Sequence, residues 1–446
     1  MSIPAYAEYE ASLAPTGLPR PSHWKVSPLK RLFTIVGGST PDSSKRELWD
    51  GDIPWATPAD LGNDCCFDLT STSRQITPLG LASCGTKMVP AGTILLATRA
   101  PIGTVGIAAM PLCTNQGCKS LVPKSGINSR YYAYVLSAST EALTTRGKGT
   151  TFLELSGDEL GLFHVPVPPP PEQLAIATFL DRETAKIDAL VSEHRKLSLL
   201  AAEKRQAIVS HAVSGGLAPG ARMKPSGVKW LGEVPEHWEE FPLRALFGLK
   251  HGYPFDSSRF EESGDFIVMT PGNFWERGGF RKKAQEKFYR GSDFPPEYIL
   301  KAGQMLVAMT EQAPGLLGSA LCVPDTGTYL HNQRLGLVQD LRTDRVCERY
   351  LFHLFNSSRY RAEIGCNVSG STVRHTSPSK IRSVKVYLPP FEEQTRIAHY
   401  IDQRLAVLDE MATEAEHTTA LLQERRAASI AAAVTGQIDV RGLVAA

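Results

Sequence analysis

The chain has 446 residues, 42% hydrophobic and 21% charged, a balance that excludes wholesale disorder, and its length predicts two to four domains at roughly 100 to 200 residues each. A formal net charge of +2 neither requires nor forbids a polyanionic partner, so only local clusters of cations can speak for one. The eight cysteines include adjacent Cys65 and Cys66 but fit neither a zinc site nor a disulfide scaffold; the N-terminus lacks a signal-peptide pattern and no apolar run nears the roughly 20 residues that span a bilayer, so a reduced, cytoplasmic protein is expected.

In chain order, residues 1–17 have no counterpart elsewhere and read as an extension that is mobile or touches a partner. A repeat then begins. PSHWKVSPLKRLF (Pro21 to Phe33) matches PEHWEEFPLRALF (Pro235 to Phe247) at an offset of 235 − 21 = 214, aligning His23 with His237 and Trp24 with Trp238. These His-Trp pairs lie in the repeated frame, so a packed structural role is expected ahead of that of a ligand or base. Residues 18–170 and 221–390 carry short apolar runs such as AGTILLAT, TVGIAAM, DFIVMT and GQMLVAMT between Gly, Pro, Asn and Asp, which predict short strands and turns. Helices are expected near Ser129 to Ser139 and Glu348 to Ser358, giving a mixed α+β class. Weaker echoes join the halves: TNQGC (Thr114 to Cys118) with HNQRL (His331 to Leu335), and Gly149 to Thr151 with Gly370 to Thr372.

Each globular segment ends in a proline stop followed by a long helical pattern, over 171–220 and 391–446. PPPPEQLAIATFLD (Pro168 to Asp181) and PPFEEQTRIAHYID (Pro389 to Asp402) align at 394 − 173 = 221, an offset that holds for Asp188 with Asp409 and Arg205 with Arg426. Apolar residues recur in steps of four and three at Ile176, Leu180, Ile187, Leu190, Leu197 and Ile208, and at Ile397, Ile401, Leu408, Met411 and Leu422, which predicts a heptad seam on each helix. Such a stripe can pack on its own domain. Two stripes in matching register predict instead that the helices pair as an antiparallel coiled coil in a pseudo-twofold arrangement.

Candidate nucleic-acid contacts are loops where cations, amides and aromatics interleave, since phosphates select cations and base edges select Arg, Asn and Gln. In the first segment these are Lys45, Arg46, Arg74, Arg99, Arg146 and Lys148. In the second they are Arg277, Arg281, Lys282, Lys283, Arg290, Gln312, Arg374 and His375. No phosphate loop, H-E-x-x-H or G-x-S-x-G motif occurs. FPPEY (Phe294 to Tyr298) lacks the residues that an amino-methyltransferase tetrapeptide needs on either side of Pro-Pro and reads as a turn.

KPSGVKWLGEVPEHWE (Lys224 to Glu239), the two proline-flanked helix starts, AAAVTGQIDVR (Ala431 to Arg441), GDIPWATPADL (Gly51 to Leu61) and CTNQGC (Cys113 to Cys118) resemble, over nearly the whole chain, the specificity subunits of type I restriction-modification systems. That resemblance implies a non-catalytic subunit with two target-recognition domains, each reading half of a bipartite double-stranded DNA site, and helices that set the spacer. It also implies two methylation subunits docked on the helices to make an adenine methyltransferase, and restriction subunits that add an ATP-dependent nuclease. S-adenosylmethionine, ATP and Mg²⁺ would then belong to the partners, with no cofactor, metal or membrane contact in this chain. Two other classes stay open at this stage: an enzyme that carries such recognition domains, which would transfer methyl groups unaided, and a coiled-coil adaptor, which would show no salt-dependent DNA binding.

Overall fold

A computed structural model describes residues 4–10, 19–62, 67–99, 101–148, 153–311, 315–366 and 374–443. The chain divides into two compact units, Met1–Arg195 with Glu416–Ala446, and Lys196–Ala415. Four helices organise them: α1 (Ser129–Ala138), α2 (Pro170–Gly215), α3 (Glu348–Phe355) and α4 (Phe391–Val434). Each unit therefore combines one globular segment with part of α2 and part of α4.

The expected α+β class and internal repeat are present. In the first unit a five-stranded sheet runs in the order Phe33–Gly37, Cys118–Pro123, Ile94–Ala97, Val105–Ala108, Asp68–Leu69, antiparallel except at the last pair. The second unit repeats the first four places with Gly248–His251, Leu335–Gln339, Met305–Ala308 and Ala320–Cys322, all antiparallel. The apolar stretches ILLA and MLVA hold matching central places and are buried at every position, as strands covered on both faces must be. A second sheet carries one parallel pairing in each unit: Thr114 lies against Ala56 in the first, and His331 against Met269 in the second.

The duplicated helix starts have a packing reason. Proline fits the first turn of a helix, where its missing N–H costs nothing, and α2 begins on Pro170 and runs unbroken for 46 residues, about 70 Å at 1.5 Å per residue. Glu172 then accepts from Trp24 Nε1 at 2.9 Å and lies 2.8 Å from His23 Nε2. Glu393 does the same for Trp238 at 3.3 Å and His237 at 2.7 Å. The neighbouring Gln173 accepts from Asn128 N, at the start of α1, and donates to Pro168 O, both at 2.9 Å; Gln394 bridges Cys347 N and Pro389 O at 2.8 and 2.9 Å. Each Glu-Gln pair thus bolts a long helix to the entry of its globular segment and to that segment's own helix, which gives the His-Trp pairs their structural role.

Of the N-terminal extension the structure describes residues 4–10, which pack onto the rest of the first unit. Rather than standing apart, Tyr6 is buried and its hydroxyl donates to Glu172 Oε2 at 3.3 Å, while Asp439 N donates to Pro4 O at 2.7 Å. They also have a structural counterpart. Tyr9–Glu10 pairs with Arg20–Pro21 as Met223–Pro225 pairs with Glu233–Pro235, and the bonds Ser22 N to Glu8 O and Glu236 N to Arg222 O repeat at the offset of 214 (222 − 8). Backbone pairing makes no demand on side chains, so no shared letters mark it.

Within each unit the two long helices run antiparallel. In the first, Ile176 and Leu180 share a core with Ile430, Ala433 and Val434, and Arg426 Nε donates to Asp188 Oδ1 at 2.9 Å. In the second, Val209, Ala212 and Val213 share a core with Ile397, Ile401 and Leu405, and Arg205 Nη1 donates to Asp409 Oδ1 at 2.5 Å. Ile176, Leu180, Ile187, Ile397, Ile401 and Leu408 are buried, with Ile208 and Leu422 half-buried. Leu190, Leu197 and Met411 differ from the predicted seam and are 50%, 49% and 53% exposed. The buried or half-buried side chains there are Val191, Ser198 and Ala412, one residue further on. Small and polar residues let helices approach closely, and a charged pair fixes their rotation, so the most apolar residue of a turn is not the one that faces inward.

Two predictions follow from these contacts. Asp188→Arg sets a cation against Arg426 and is expected to cost about 2 kcal/mol, most of it recovered in the Asp188→Arg/Arg426→Asp double variant; an additive double-mutant cycle in chemical denaturation would show the pair does not set register. His331 is fully buried, its Nε2 donates to Leu335 O at 2.9 Å, and Nδ1 has no partner. Burial, with smaller contributions from Lys250 and His251, pushes its pKa down to about 4. The unfolded chain therefore takes up this proton first as pH falls below about 6.5, and up to about 3 kcal/mol of stability is lost between pH 6.5 and 4. Hydrogen-exchange protection of Thr328–His331 should fall over that window in the parent and lose the His331 contribution to the slope in His331→Asn.

Candidate nucleic-acid interface

Two proline turns organise the loops that carry the candidate cations. Thr57 and Asp60 close one by a reciprocal capping box, and Thr270 and Asn273 close the other, satisfying backbone donors that a tight turn leaves open. Sequence reasoning passed over this pair, although T-P-x-[D/N] recurs at 270 − 57 = 213 and was open to view. Asp60 also accepts from Ser73 N at 2.8 Å, which ties the residue before Arg74 to the turn. Those backbone and hydroxyl bonds hold the Asp60 carboxyl below its usual range against the opposing effect of burial.

In the first unit the Arg74 guanidinium lies on the face of Trp49, with Cζ 3.6 Å from the ring centroid. Trp49 meets Trp55 edge-on at 5.0 Å, and their indole N–H groups donate to Asp42 O and Ser39 O at 3.1 and 3.0 Å. Lys45 and Arg46 are exposed at the short turn Arg46–Leu48 that leads into Trp49. These three cations therefore share one region. Arg99, Arg146 and Lys148 form a second group. Arg99 pairs with Glu154 at 3.0 Å and Lys148 with Glu159 at 2.7 Å, while Arg146 Cζ is 5.4 Å from the Phe163 ring. The Lys148 hydrogen bond and charge hold Glu159 below the usual carboxylate range, with Arg146 adding to them.

In the second unit Arg277 and Arg281 flank Trp275, 5.2 and 5.1 Å from its ring centroid, and Trp275 is 42% exposed. Lys282 is exposed beside them. Lys283 is differently placed: its Nζ donates to Thr270 Oγ1 at 3.2 Å and lies 3.4 Å from Glu286, which also accepts from Asn273. It braces the proline turn. Arg290 pairs with Glu261 beside the Arg259–Asp293 pair, so it belongs to the strand edge Phe260–Glu261 rather than to the Trp275 group. Arg374 pairs with buried Glu311 at 2.9 Å, and His375 Nδ1 is 3.1 Å from Thr310 Oγ1. Gln312 and the second echo, Gly149 to Thr151 with Gly370 to Thr372, lie outside the described residues, as do Cys65 and Cys66. Phe294 to Tyr298 ends in the single 3-10 turn Pro296–Tyr298, and among the described residues no three His, Cys, Asp or Glu side chains are gathered to hold a metal ion.

The candidate residues thus fall on two loop systems, one in each unit, built on a common frame and carrying different side chains. Each offers exposed cations beside a tryptophan. A guanidinium stacked on an indole is pre-oriented in its plane, which suits it to bidentate recognition of a guanine edge or a phosphate.

The type I restriction modification DNA specificity domain family matches residues 21–197 and again 235–417. The chain is 41% identical over 178 residues to the MjaIX specificity subunit of Methanocaldococcus jannaschii, a stretch covering 40% of each chain. It is 30% identical over 166 residues to the EcoR124I/EcoR124II specificity subunit of Escherichia coli, covering 36% of this chain and 40% of that one. These two alignments therefore span two fifths of the relatives' lengths. Similarity to the EcoKI specificity subunit of Escherichia coli K12 is longer and weaker, 22% over 440 residues, covering 94% of this chain and 90% of the relative. A structure solved to explain complex assembly and conformational transition of a type I R-M system shares the fold over 94% of this chain and 99% of its own, with a TM-score of 0.66 at 16% identity. Each copy of the internal repeat carries one match to the family, and the chain belongs to the type I restriction-modification DNA specificity domain family.

Proposed function

We propose that this chain is the DNA-recognition subunit of a type I restriction-modification complex. The observation that carries the reading is one frame present twice with different cation-bearing loops. Two copies of a single reader, each tuned to its own target, would have that form. The Arg74–Trp49 stack with Lys45 and Arg46 is the contact surface we assign to the first domain, and the Arg277–Trp275–Arg281 group with Lys282 that of the second. The domain limits follow from the repeat: 18–170 and 221–390 as readers, 171–220 and 391–446 as the helical spacer. Half-sites read from one face of B-DNA lie about 34 to 36 Å apart, one helical turn, and helices of this length can hold two readers to such a spacing.

On this reading the chain performs no chemistry itself. Methyl transfer to adenine belongs to two methylation subunits, ATP-driven cleavage to restriction subunits, and S-adenosylmethionine, ATP and Mg²⁺ to those partners, all in the cytoplasm. No helix among the described residues is long and apolar enough to cross a membrane. The outward faces of the long helices support docking of the methylation subunits. In the second unit Leu197 and Leu200 on α2, three residues apart, and Val407 and Met411 on α4, four apart, are each about half exposed, and apolar side chains at such spacings share a helix face. A stripe of that kind is costly in water and marks a surface meant to be covered.

Two outcomes test this. Exchanging residues 232–388 for those of a relative should change one half of the methylated motif and leave the other half and the spacer unaltered; methylome sequencing that finds both halves changed would defeat the modular reading. Leu200→Glu with Met411→Glu should abolish co-purification of the methylation subunits while the melting temperature of the isolated chain stays within a few degrees of the parent. Retained assembly would move the docking surface elsewhere.

A further inference from the structure

The Asn-Gln turns remain without a role, although they are among the features both units keep. In the first unit Asn115 Oδ1 accepts from Gly117 N at 3.0 Å, and Asn115 N donates to Ala56 O at 2.9 Å. In the second, Asn332 Oδ1 accepts from Arg334 N at 3.0 Å. Each turn is packed onto a glycine. A Cβ on Gly38 would come within 2.0 Å of Asn115 O, and one on Gly252 within 2.1 Å of Asn332 O, a matched pair at 252 − 38 = 214. The turns border the cation-bearing loops: Gly117 O accepts from Thr98 N, beside Arg99, at 2.8 Å, and Arg334 O accepts from Met309 N at 3.0 Å.

At the tip of each turn stands an exposed glutamine, Gln116 or Gln333. The asparagines and glycines hold the turn, and nothing in that packing calls for the glutamine side chain. Gln116 Oε1 accepts from the Thr40 hydroxyl, and the Gln333 side-chain amide makes no hydrogen bond among the described residues. Readers tuned to different bases share the sugar-phosphate backbone as a contact that does not vary between half-sites. The chemistry agrees. The side-chain amide of each glutamine carries two N–H donors, which a phosphate oxygen can accept. Gln333 is followed by exposed Arg334 in the place of Gly117, which adds a cation to the same tip.

We propose that Gln116 and Gln333 are phosphate clamps, each donating to the DNA backbone and seating its reader on the duplex irrespective of sequence. This rests on the DNA-recognition reading above. The test uses the complex assembled with its methylation subunits, a duplex carrying the methylated motif, and a shuffled duplex of equal length, each titrated at several salt concentrations. Gln116→Ala and Gln333→Ala should each weaken both duplexes by the same factor, about 3- to 10-fold, with unchanged circular dichroism melts. Arg334→Ala should also lower the slope of log affinity against log salt by about 1. Unchanged affinity for both duplexes overturns the proposal, and so does a loss confined to the methylated motif, which would make the glutamines base readers. A parent complex that binds neither duplex overturns the recognition reading and the clamp with it.

Discussion

The fold depends on one charged pair made twice. Asp188 binds Arg426 in the first unit and Arg205 binds Asp409 in the second; by the offset of 221, Asp188 corresponds to Asp409 and Arg205 to Arg426. Each bond therefore joins the aspartate of one repeat to the arginine of the other. Within each unit the pair fixes the antiparallel register of the two helix segments it joins. In a seam with few large apolar side chains, a pair of this kind is what selects the register. Neither globular segment has a complete core without a helix written in the other half of the sequence: Tyr131 OH donates to Val434 O at 3.2 Å, and Tyr350 OH to Val213 O at 3.0 Å.

How much of this was legible follows from what each contact asks of its side chains. The His-Trp pairs and the Glu-Gln pairs were visible because both partners in each clamp must be those residues, so the letters recur. The helices and their proline starts were visible for the same reason. The hairpin of Tyr9–Glu10 and its counterpart at Met223–Pro225 were hidden, since a backbone ladder leaves no trace in side-chain identity. The seam was half legible. Large apolar residues mark it correctly at the helix ends, where the helices enter the cores, and fail at Leu190, Leu197 and Met411, where Val191, Ser198 and Ala412 turn inward and the leucines and methionine face out.

The arrangement places precision and variation in different parts of the chain. Proline turns with their capping boxes, glycines packed onto the Asn-Gln turns and the Glu-Gln bolts are all local solutions that fix a backbone by short-range contacts. The residues they present are free to differ. Asn273 stands where Asp60 does, and Trp275 with its two arginines follows one turn while the Trp49–Arg74 stack lies against the other. A frame held by short-range bonds can change its loops without changing its register.

Not every cation on those loops is available to a polyanion. Arg99 joins the segment at Glu154 by a backbone bridge and an ion pair, and Glu311 joins Arg374 in the corresponding way with the charges exchanged. If the arginine at this junction were a DNA contact, its replacement by a carboxylate in the other unit would put a like charge against the phosphates. What the junction requires is opposite charges across the strand pair, in either order, and each arginine there is engaged by its own glutamate. The same holds for Lys283 on Glu286 and Arg290 on Glu261. Arg146, also without an ion pair, lies against Phe163; of the remaining cations Lys45, Arg46, Arg74, Arg281 and Lys282 make no ion pair among the described residues, and Arg277 lies 3.7 Å from Asp409. They adjoin the tryptophans. On the reading proposed above, recognition in each unit rests on guanidinium groups oriented by aromatic faces, while ion pairs hold the loops that surround them.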